Sequence, residues 1–372
     1  MKSRHLRLLA LLALSLAALA ACSDAIYSTI ETEKKTATNT LSQTLSVFGI
    51  AVSPAQTYYV AAGAIFKGVL SGTTVSWIPN ASDSTRPWNP PGLLCNAMAL
   101  YGTNLFGGFV AQDGTPSLYM SSASPYSFNS GATSLATASA GEQVTMLGAT
   151  AANLFVGGAT LSGNNYVYQL DYSSSPGSVA WTTALFPETI LGAPGLAYPL
   201  VGVANLGTTY WTASGSTLYT STALPTFTQV TAQSWGTING VFADSANNRV
   251  FVVTKSNGIY YSTDGGSTWP SHIGADVVGT ATVGYLTVAG PVDSGGDKYL
   301  VGSDGFGYYT LSISAGTMSR FGDSTIALYS ASVSHIALDG ANVLLGTNSK
   351  GLWRAVFDGT GALASGQSWI NE

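Results

Sequence analysis

Charged side chains are scarce in this sequence: Asp, Glu, Lys and Arg together make up only 8% of its 372 residues. The 18 acidic residues outnumber the 13 basic ones, which gives a formal net charge of −5 at pH 7. Nucleic-acid binding needs clustered Lys and Arg, so the composition argues against a nucleic-acid partner. Apolar residues still reach 46%, with 19 tyrosines, and such a chain is not expected to be disordered.

Cysteine and histidine are nearly absent, with two and three copies respectively. Two cysteines cannot build a disulfide framework, and Cys95 lies in an apolar stretch that is typical of a small core residue. His272 and His335 are far apart and lack the spacing of metal ligands. The sequence therefore predicts no metal site and no cofactor.

Amphipathic helical periodicity is missing from Leu45 onward. Short runs of alternating apolar residues fill this part of the chain instead, and Gly, Asn, Ser and Pro interrupt them. This pattern is typical of strands and turns, so the predicted fold class is all-β.

The N-terminus has the organisation of a secretory signal peptide. Lys2, Arg4 and Arg7 form a basic segment, and an apolar run from Leu8 to Leu19 follows it. A basic start, a short apolar core and a small-residue cleavage site define such a signal, and the run is too short to span a bilayer. Loss of these three basic residues would raise the excess of acidic side chains from five to eight.

The segment Leu19-Ala20-Ala21-Cys22 resembles the lipobox of bacterial lipoproteins. The resemblance implies a signal peptide over 1–21 and a mature N-terminus at Cys22 that carries acyl chains such as palmitate and anchors the protein to a membrane of the cell envelope. Ser23 follows the cysteine, which by resemblance to diderm lipoproteins favours the outer membrane over the inner one. The alternative is an ordinary signal that happens to end on a cysteine. Residues 22–44 are polar and rich in Thr, and we interpret them as a lipidated tether.

The remainder, 45–372, contains a repeat. An apolar residue followed by an aromatic one recurs at intervals of about 48 residues, and such a period changes the fold prediction. A second apolar run lies about ten residues before each pair, another run precedes that, and an apolar or aromatic residue opens a last run after it. Seven units of four short strands predict a seven-bladed β-propeller. The seven pairs are Ile65-Phe66, Leu118-Tyr119, Val167-Tyr168, Leu218-Tyr219, Ile259-Tyr260, Tyr308-Tyr309 and Leu352-Trp353.

One unit carries a sharper signature. Ser262, Asp264, Gly266 and Trp269 match all four specified positions of the Asp-box, S/T-x-D-x-G-x-x-W, also called the BNR repeat. The chain thereby resembles Asp-box β-propellers, a group that includes sialidases, certain glycoside hydrolases, sortilin-type receptors and photosystem assembly factors. In that group the box is a structural turn between the third and fourth strands of a blade, so the resemblance implies a scaffold role for Asp264.

Catalytic chemistry has little support in the sequence. A sialidase-like site needs three arginines from different blades, and the segment after the signal holds only Arg86, Arg249, Arg320 and Arg354. A glycoside hydrolase needs only two carboxylates across a cleft, so that class stays open as the alternative function. Its candidate carboxylates, several of them beside glycine as turn aspartates are, are Asp113, Asp171, Asp244, Asp293, Asp304 and Asp339.

Two long connections between units are candidate binding loops, because long loops on a rigid scaffold often carry binding sites. The first, Asn80 to Leu94, contains Arg86 and Trp88, and the second, Leu185 to Leu200, contains Phe186 and Tyr198. An equal alternative is that these loops only cover the edge of the scaffold. The leading functional hypothesis is a membrane-anchored binding or scaffolding module without enzymatic activity, with a protein or glycan partner.

The phase of the repeat predicts how the ring closes. The first unit already holds four strands from Val47 to Ile78, and the seventh holds four from His335 to Asn371, with Trp369 in the position of Trp269. We therefore expect blade seven to be completed by the chain's own C-terminus, without a borrowed strand. Closure would then depend on side-chain packing between blades one and seven.

Overall fold

The computed structural model describes residues 41–54, 56–78, 88, 93–111, 116–122, 126, 128, 133–135, 143–162, 165–177, 181–190 and 193–372. The predicted signal peptide, Cys22 and most of the predicted tether lie outside these residues.

Seven four-stranded antiparallel sheets follow one another along the described chain, each with its strands in sequence order. The strands of blades 1 to 3 are β1 (Gly49–Ser53), β2 (Thr57–Ala62), β3 (Ala64–Ser71) and β4 (Thr74–Ile78); β5 (Leu93–Tyr101), β6 (Asn104–Ala111), β7 (Pro116–Ser121) and β8 (Thr133–Leu135); and β9 (Gln143–Ala149), β10 (Leu154–Ser162), β11 (Asn165–Ser173) and β12 (Thr182–Thr183).

A small hairpin, β13 (Thr189–Ile190) and β14 (Ala193–Pro194), separates blade 3 from blade 4, and a second, β23 (Val277–Val278) and β24 (Ala281–Thr282), separates blade 5 from blade 6. The strands of blades 4 and 5 are β15 (Leu200–Leu206), β16 (Thr209–Ser214), β17 (Thr217–Ala223) and β18 (Thr226–Gln229), then β19 (Ile238–Asp244), β20 (Arg249–Thr254), β21 (Ile259–Ser262) and β22 (Ser271–Ile273).

One turn of 3-10 helix, Ala327–Ser330, connects the last two blades. The strands of blades 6 and 7 are β25 (Tyr285–Ala289), β26 (Lys298–Ser303), β27 (Tyr308–Ser312) and β28 (Thr317–Arg320), then β29 (Ser332–Asp339), β30 (Asn342–Asn348), β31 (Leu352–Val356) and β32 (Ile370–Asn371).

The first strand of every blade contacts the first strand of the next, and β29 of blade 7 returns to β1 of blade 1. The blades therefore form a closed ring with the first strands around its axis. The chain is a seven-bladed β-propeller. All seven apolar–aromatic pairs predicted from the sequence lie in the third strands of their blades, which confirms the repeat.

Because all blades share one strand order, the ring has two distinct faces. We call the face where the first strands begin the upper face, and it also carries the turns between second and third strands and the connections between blades. The lower face carries the turns between first and second strands and between third and fourth strands. This division decides which side chains can meet in one site.

Aromatic side chains fill the spaces between neighbouring blades. Trp269 of blade 5 is 5% exposed and packs edge-on against Trp211 of blade 4, with ring centroids 5.7 Å apart, and against Trp235, at 5.0 Å. Edge-to-face aromatic pairs contribute about 0.5–1.5 kcal/mol beyond the burial of their area. Trp369 occupies the same place in blade 7 and packs on Tyr308 of blade 6 at 5.3 Å.

Ring closure occurs in the predicted phase. β32 pairs with β31, so blade 7 is completed by the C-terminus of the chain, and no strand from before β1 joins that sheet in the described residues. Closure nevertheless involves more than the predicted side-chain packing. The Val47 amide donates to the Thr347 carbonyl at 2.9 Å, and the Gly351 amide donates to the Leu45 carbonyl at 3.0 Å.

The last residue of the chain is tied into the fold by a buried ion pair. Nε of Arg354 lies 2.7 Å from Oε1 of Glu372, and the two side chains are 2% and 7% exposed. A guanidinium nitrogen of Arg354 also donates to the Thr73 carbonyl of blade 1. Arg354 therefore links the C-terminus of blade 7 to blade 1 across the closing seam.

The folded body extends ahead of Leu45, where the sequence suggested that it begins. Leu41 is only 2% exposed and packs with Leu352 and Val47 in the apolar cluster between blades 7 and 1. Nε2 of Gln43 donates to the Asn371 carbonyl at 3.4 Å. We call residues Leu41–Val47 the stem, and it lies at the upper side of the closing seam.

Candidate functional site at the upper mouth of the channel

A β-bulge recurs near the start of the first strand in six blades of the described chain. The pairing register shifts by one residue there, so one residue is left over on the first strand. Phe48 precedes β1 at the equivalent place in blade 1. Bulges re-aim side chains and are common at barrel rims and functional sites. The seven residues around the upper mouth are Phe48, Asn96, Thr145, Val201, Asn239, Leu286 and Ser334.

Several of these mouth residues connect one blade to the next. Nδ2 of Asn96 in blade 2 donates to the Val144 carbonyl of blade 3 at 2.7 Å. Nδ2 of Asn239 in blade 5 makes the same contact with the Tyr285 carbonyl of blade 6 at 2.9 Å. The mouth is thus held in shape by side chain to backbone bonds, so a ligand would meet a largely preformed surface.

Blades 1 to 3 differ from the rest of the mouth in the exposure of their large apolar side chains. Phe48 is 42% exposed and Leu94, beside Asn96, is 37% exposed. Oδ1 of Asn96 and Oγ1 of Thr145 are buried and have no hydrogen-bond partner among the described residues, so the accessible part of this region is the apolar pair. Exposed apolar side chains on a preformed concave rim are typical of binding sites. This third of the mouth is the candidate functional site.

Sequence reasoning missed these residues because a bulge interrupts the alternation by which strands are recognised. A weak signal was present. Where the first strand begins, a buried apolar residue is followed by the mouth residue and then by glycine or alanine. Examples are Val47-Phe48-Gly49, Cys95-Asn96-Ala97 and Ile238-Asn239-Gly240.

The four predicted binding-loop residues differ in where the structure places them. Arg86 lies outside the described residues. Trp88 is 7% exposed, its indole N–H donates to the Ile78 carbonyl at 3.1 Å, and it packs among core residues of blades 1 and 2. Phe186 is 9% exposed and stacks on Phe227 with centroids 5.1 Å apart. Tyr198 is 63% exposed on the upper face.

Most of the candidate carboxylates for a glycoside hydrolase lie away from the mouth. Asp113 is outside the described residues. Asp171 is fully buried and accepts a bond from Oγ1 of Thr183 at 2.7 Å. Oδ1 of Asp293 accepts the amides of Asp297 and Lys298 in a lower-face turn, at 2.9 and 2.7 Å.

Asp304 is the described candidate on the upper face. Its Oδ1 accepts a hydrogen bond from Oγ of Ser332, the first residue of β29, at 2.7 Å. The other two candidates, Asp244 and Asp339, end first strands and therefore lie on the lower face. No two of the described candidates meet at the upper mouth.

Asp244 and Asp339 take part in contacts between blades. Asp244 of blade 5 accepts from the Tyr299 hydroxyl of blade 6, and Asp339 of blade 7 accepts from the Tyr58 hydroxyl of blade 1 at 2.8 Å. Burial, followed by the hydrogen bond to the carboxylate, raises the pKa of both tyrosines above its usual range. Both hydroxyls therefore remain protonated donors at any physiological pH.

The turn from Ser262 to Trp269 is held by its own side chains. Oγ of Ser262 donates to Oδ1 of Asp264 at 2.6 Å and accepts the Gly266 amide at 2.7 Å. Thr268 donates its amide to Oδ1 of Asp264 and its hydroxyl to Oδ2, at 2.9 and 2.6 Å. These bonds, led by that from Ser262, lower the pKa of Asp264 to about 2. The left-handed φ of +83° at Gly266 suits glycine.

This turn joins the third and fourth strands of blade 5, so it lies on the lower face, opposite the candidate site. The side-chain hydrogen bonds of Ser262 and Asp264 stay within the turn, the Gly265 amide donates to the Asn248 carbonyl at 3.1 Å, and Trp269 leads from the turn into the core. Within the described residues, no three His, Cys, Asp or Glu side chains come together as a metal site. Nor does any described helix have the length and apolar character needed to cross a membrane.

Comparisons with known proteins bear on the fold. No family model and no curated protein matches the chain. Among solved structures, it is similar to YCF48 bound to D1 peptide, with a TM-score of 0.57 and 11% identity over 86% of this chain and 94% of that one. It is similar to YCF48 from Cyanidioschyzon merolae, with a TM-score of 0.57, 13% identity and coverage of 86% and 97%. It is also similar to the computationally designed Ika8 protein, with a TM-score of 0.54 and 12% identity over 86% of this chain and 98% of that one.

Identities this low establish the architecture and leave the activity to be argued from the site. The similar structures support the propeller fold, and the ring of seven blades agrees with them.

Proposed function

We propose that this protein is a lipid-anchored, extracytoplasmic β-propeller that binds a polypeptide segment of a partner protein at its upper mouth and catalyses no reaction. The observation that carries the proposal is the exposure of Phe48 and Leu94 at the mouth in blades 1 to 3, where Asn96 ties the rim of blade 2 to blade 3. A peptide offers apolar side chains that fit this exposed pair.

The lipid anchor in this proposal is supported by the basic start, the apolar run and the lipobox-like Leu19-Ala20-Ala21-Cys22. Acyl chains on Cys22 would hold the folded ring at a membrane surface without a transmembrane helix. Cell-envelope location, with the outer membrane favoured by Ser23, belongs to the same proposal.

The scaffold part of the proposal concerns the turn of blade 5. We assign Ser262, Asp264, Gly266 and Trp269 to an Asp-box, because Asp264 accepts bonds from turn donors and Trp269 anchors the strand that follows. Its position on the lower face supports a structural role, away from the proposed peptide site.

Site-specific photo-crosslinking tests the binding site. A photoreactive amino acid at position 48, in the full lipidated protein in its native membrane, is expected to capture a discrete protein partner. The matched control is position 370, because Ile370 is a similarly exposed apolar residue, at 39%, on the outer strand of blade 7. Capture at position 370 equal to that at position 48 would contradict the proposed site.

The anchor has its own test. Cys22→Ser is expected to move the protein from the detergent phase to the aqueous phase in detergent partitioning, since the acylated residue is lost. Unchanged partitioning of this variant would show that the lipobox interpretation is wrong, whatever the crosslinking result.

A further inference from the structure

The large apolar side chains that remain exposed are concentrated on the upper face. Of the seven in the described chain, five lie on this face, at the starts of first strands, in a turn between second and third strands, or in connections between blades. Of the other two, Leu185 begins a connection but pairs beside Thr226 of the outer strand β18, and Ile370 lies in the outer strand β32. None lies in a lower-face turn. The five upper-face residues are Phe48, Leu94, Tyr166, Tyr198 and Val277.

The two most exposed of these belong to the two extra hairpins of the fold. Tyr198 is 63% exposed and follows the hairpin β13–β14 between blades 3 and 4. Val277 is 60% exposed and lies in the hairpin β23–β24 between blades 5 and 6. Each of these two connections contains a two-stranded antiparallel sheet, which stabilises the segment that carries the exposed side chain.

The stem provides a third point on the same face. The chain enters the fold at Leu41, beside the seam between blades 7 and 1, and Leu45 accepts the Gly351 amide of an upper-face turn. Tyr198, Val277 and the stem therefore lie at three blade boundaries, which are two, two and three blades apart around the ring. Three points distributed in this way define a plane.

Charge also distinguishes the two faces. Described lower-face turns hold six carboxylates against two cations, Arg249 and Lys298. The described upper-face turns and connections hold four carboxylates against three cations, Lys255, Arg320 and Lys350, apart from Glu372, which is paired with Arg354. An anionic lipid surface repels the first arrangement far more than the second. The six lower-face carboxylates are Asp244, Asp264, Asp293, Asp297, Asp339 and Asp358.

We propose that the upper face of the ring lies against the lipid surface, with Tyr198 and Val277 in the headgroup layer and the stem as the third point of contact. This inference rests on the proposed lipid anchor. Tyrosine suits such a position because its ring is amphipathic. Residues 23–40 can span at most about 60 Å even when fully extended, so an acylated Cys22 keeps the stem within that distance of the membrane.

The separation of the apolar points favours a lipid surface over a protein partner at these positions. Tyr198 and Val277 lie on different seams with two blades between them, whereas a single docked protein segment would need contiguous apolar residues. Orientation toward the membrane turns the mouth residues of blades 1 to 3 toward protein segments that emerge from that membrane.

Single-cysteine labelling tests the orientation. The native Cys95 is 1% exposed and burial raises the pKa of its thiol to about 12, so it does not compete for a thiol reagent at neutral pH. Full-length lipidated protein carrying Tyr198→Cys, Val277→Cys or the lower-face control Ser245→Cys is labelled with a fluorophore. It is then reconstituted into vesicles of phosphatidylethanolamine and phosphatidylglycerol that contain a headgroup nitroxide.

Labels at 198 and 277 are expected to be quenched at least about threefold more than the label at 245, since interfacial groups sit within the headgroup layer. Equal quenching at the three positions, or stronger quenching at 245, overturns the orientation. Failure of the anchor is distinguishable, because the parent protein would then not float with the vesicles and its Cys22 thiol would take the label. That result overturns the anchor and the orientation together.

Discussion

The seam that closes the ring can be compared with a seam inside the chain. Between blades 5 and 6, the Tyr299 hydroxyl donates to Asp244, and between blades 7 and 1 the Tyr58 hydroxyl donates to Asp339. Both tyrosines lie near the starts of second strands, and both acceptors end first strands. The two seams therefore use the same contact, although only one of them is bridged by the chain.

The two kinds of seam also share a backbone hydrogen bond on the upper face. Gly351 donates to the Leu45 carbonyl at the closing seam, as Gly307 donates to the Ala331 carbonyl at the seam between blades 6 and 7, at 3.0 and 2.8 Å. What distinguishes the closing seam is the buried link from Glu372 through Arg354 to Thr73. A ring can thus close without strand exchange when its ends meet in an ordinary seam and the terminus is held separately.

Removal of that terminal link should have the largest effect. Deletion of 368–372 removes Trp369 and leaves Arg354 buried without its carboxylate, and each loss costs about 3–5 kcal/mol. We expect aggregation and loss of cooperative unfolding, measured by size-exclusion chromatography and calorimetry. Ile370→Ser is the control, since this side chain is 39% exposed and its loss should cost little. A soluble, cooperatively folding deletion variant would show that the terminal link is dispensable.

The two tyrosine contacts should differ in strength. Asp244 also accepts the amides of Ala246 and Asn247, at 3.0 and 3.3 Å, whereas Asp339 has the single side-chain bond from Tyr58. We expect Asp244→Ala to lower the free energy of unfolding by about 3 kcal/mol and Asp339→Ala by about 1–2 kcal/mol. Urea denaturation measures both.

Tyr58→Phe and Tyr299→Phe isolate the contact between blades from the turn contacts. Their effects should be similar, about 1 kcal/mol each. If the closing seam is the weak point of the ring, Asp339→Ala and Tyr58→Phe will instead cost more than their blade 5 and 6 counterparts.

The closing seam should also be sensitive to pH. Burial lowers the pKa of His335 from 6.5 to about 4, so the unfolded chain takes up a proton at a higher pH than the folded one. Stability from this group is complete above about pH 6.5 and is lost as the pH falls toward 4, by about 3 kcal/mol. Thermal unfolding between pH 7 and 4 measures the loss.

The control is His335→Thr, because Thr287 follows the bulge at the equivalent position of blade 6. This variant should lose less stability than the parent over the same pH interval. An identical pH profile in the two proteins would rule out His335 as the cause.

The smallest effect is expected at the exposed turn of blade 5. Asp264→Ala should lower the melting temperature modestly, since the bonds from Ser262 and Thr268 are lost, and should leave binding at the upper mouth unchanged. The stability from this carboxylate is present above about pH 4 and is lost as the pH falls through about 2. Ser267→Ala is a control within the same turn. Full stability with lost binding would assign Asp264 a functional role.

The closing seam also shows where sequence reasoning succeeds. Trp369 was matched to Trp269 by its place in the repeat, and both side chains pack against the preceding blade. Such matches work because each blade is built from local strand pairing, and the period of its apolar residues survives although the individual residues change.

The two long connections show where sequence reasoning leaves alternatives open. The sequence predicts them either as binding loops or as covers of the scaffold edge, and the side chains of Trp88 and Phe186 fold down into the core. The proline and aromatic content of these connections indicates stiff loops. Whether an aromatic side chain points to solvent or into the core depends on its contacts with the neighbouring blade. The mouth residues Phe48, Asn96 and Thr145 went unnoticed for the related reason that bulges break the local pattern.

The sequence by itself determined the all-β class, the number of blades and the phase in which the ring closes, because these follow from hydrophobic periodicity along neighbouring residues. Only the tertiary structure decided which carboxylates are taken up in seams and which polar atoms stay unpaired at the mouth. It also decided that Tyr198, Val277 and the stem share one face. These properties depend on contacts between blades distant in sequence, and no local pattern encodes the partner that a side chain meets there.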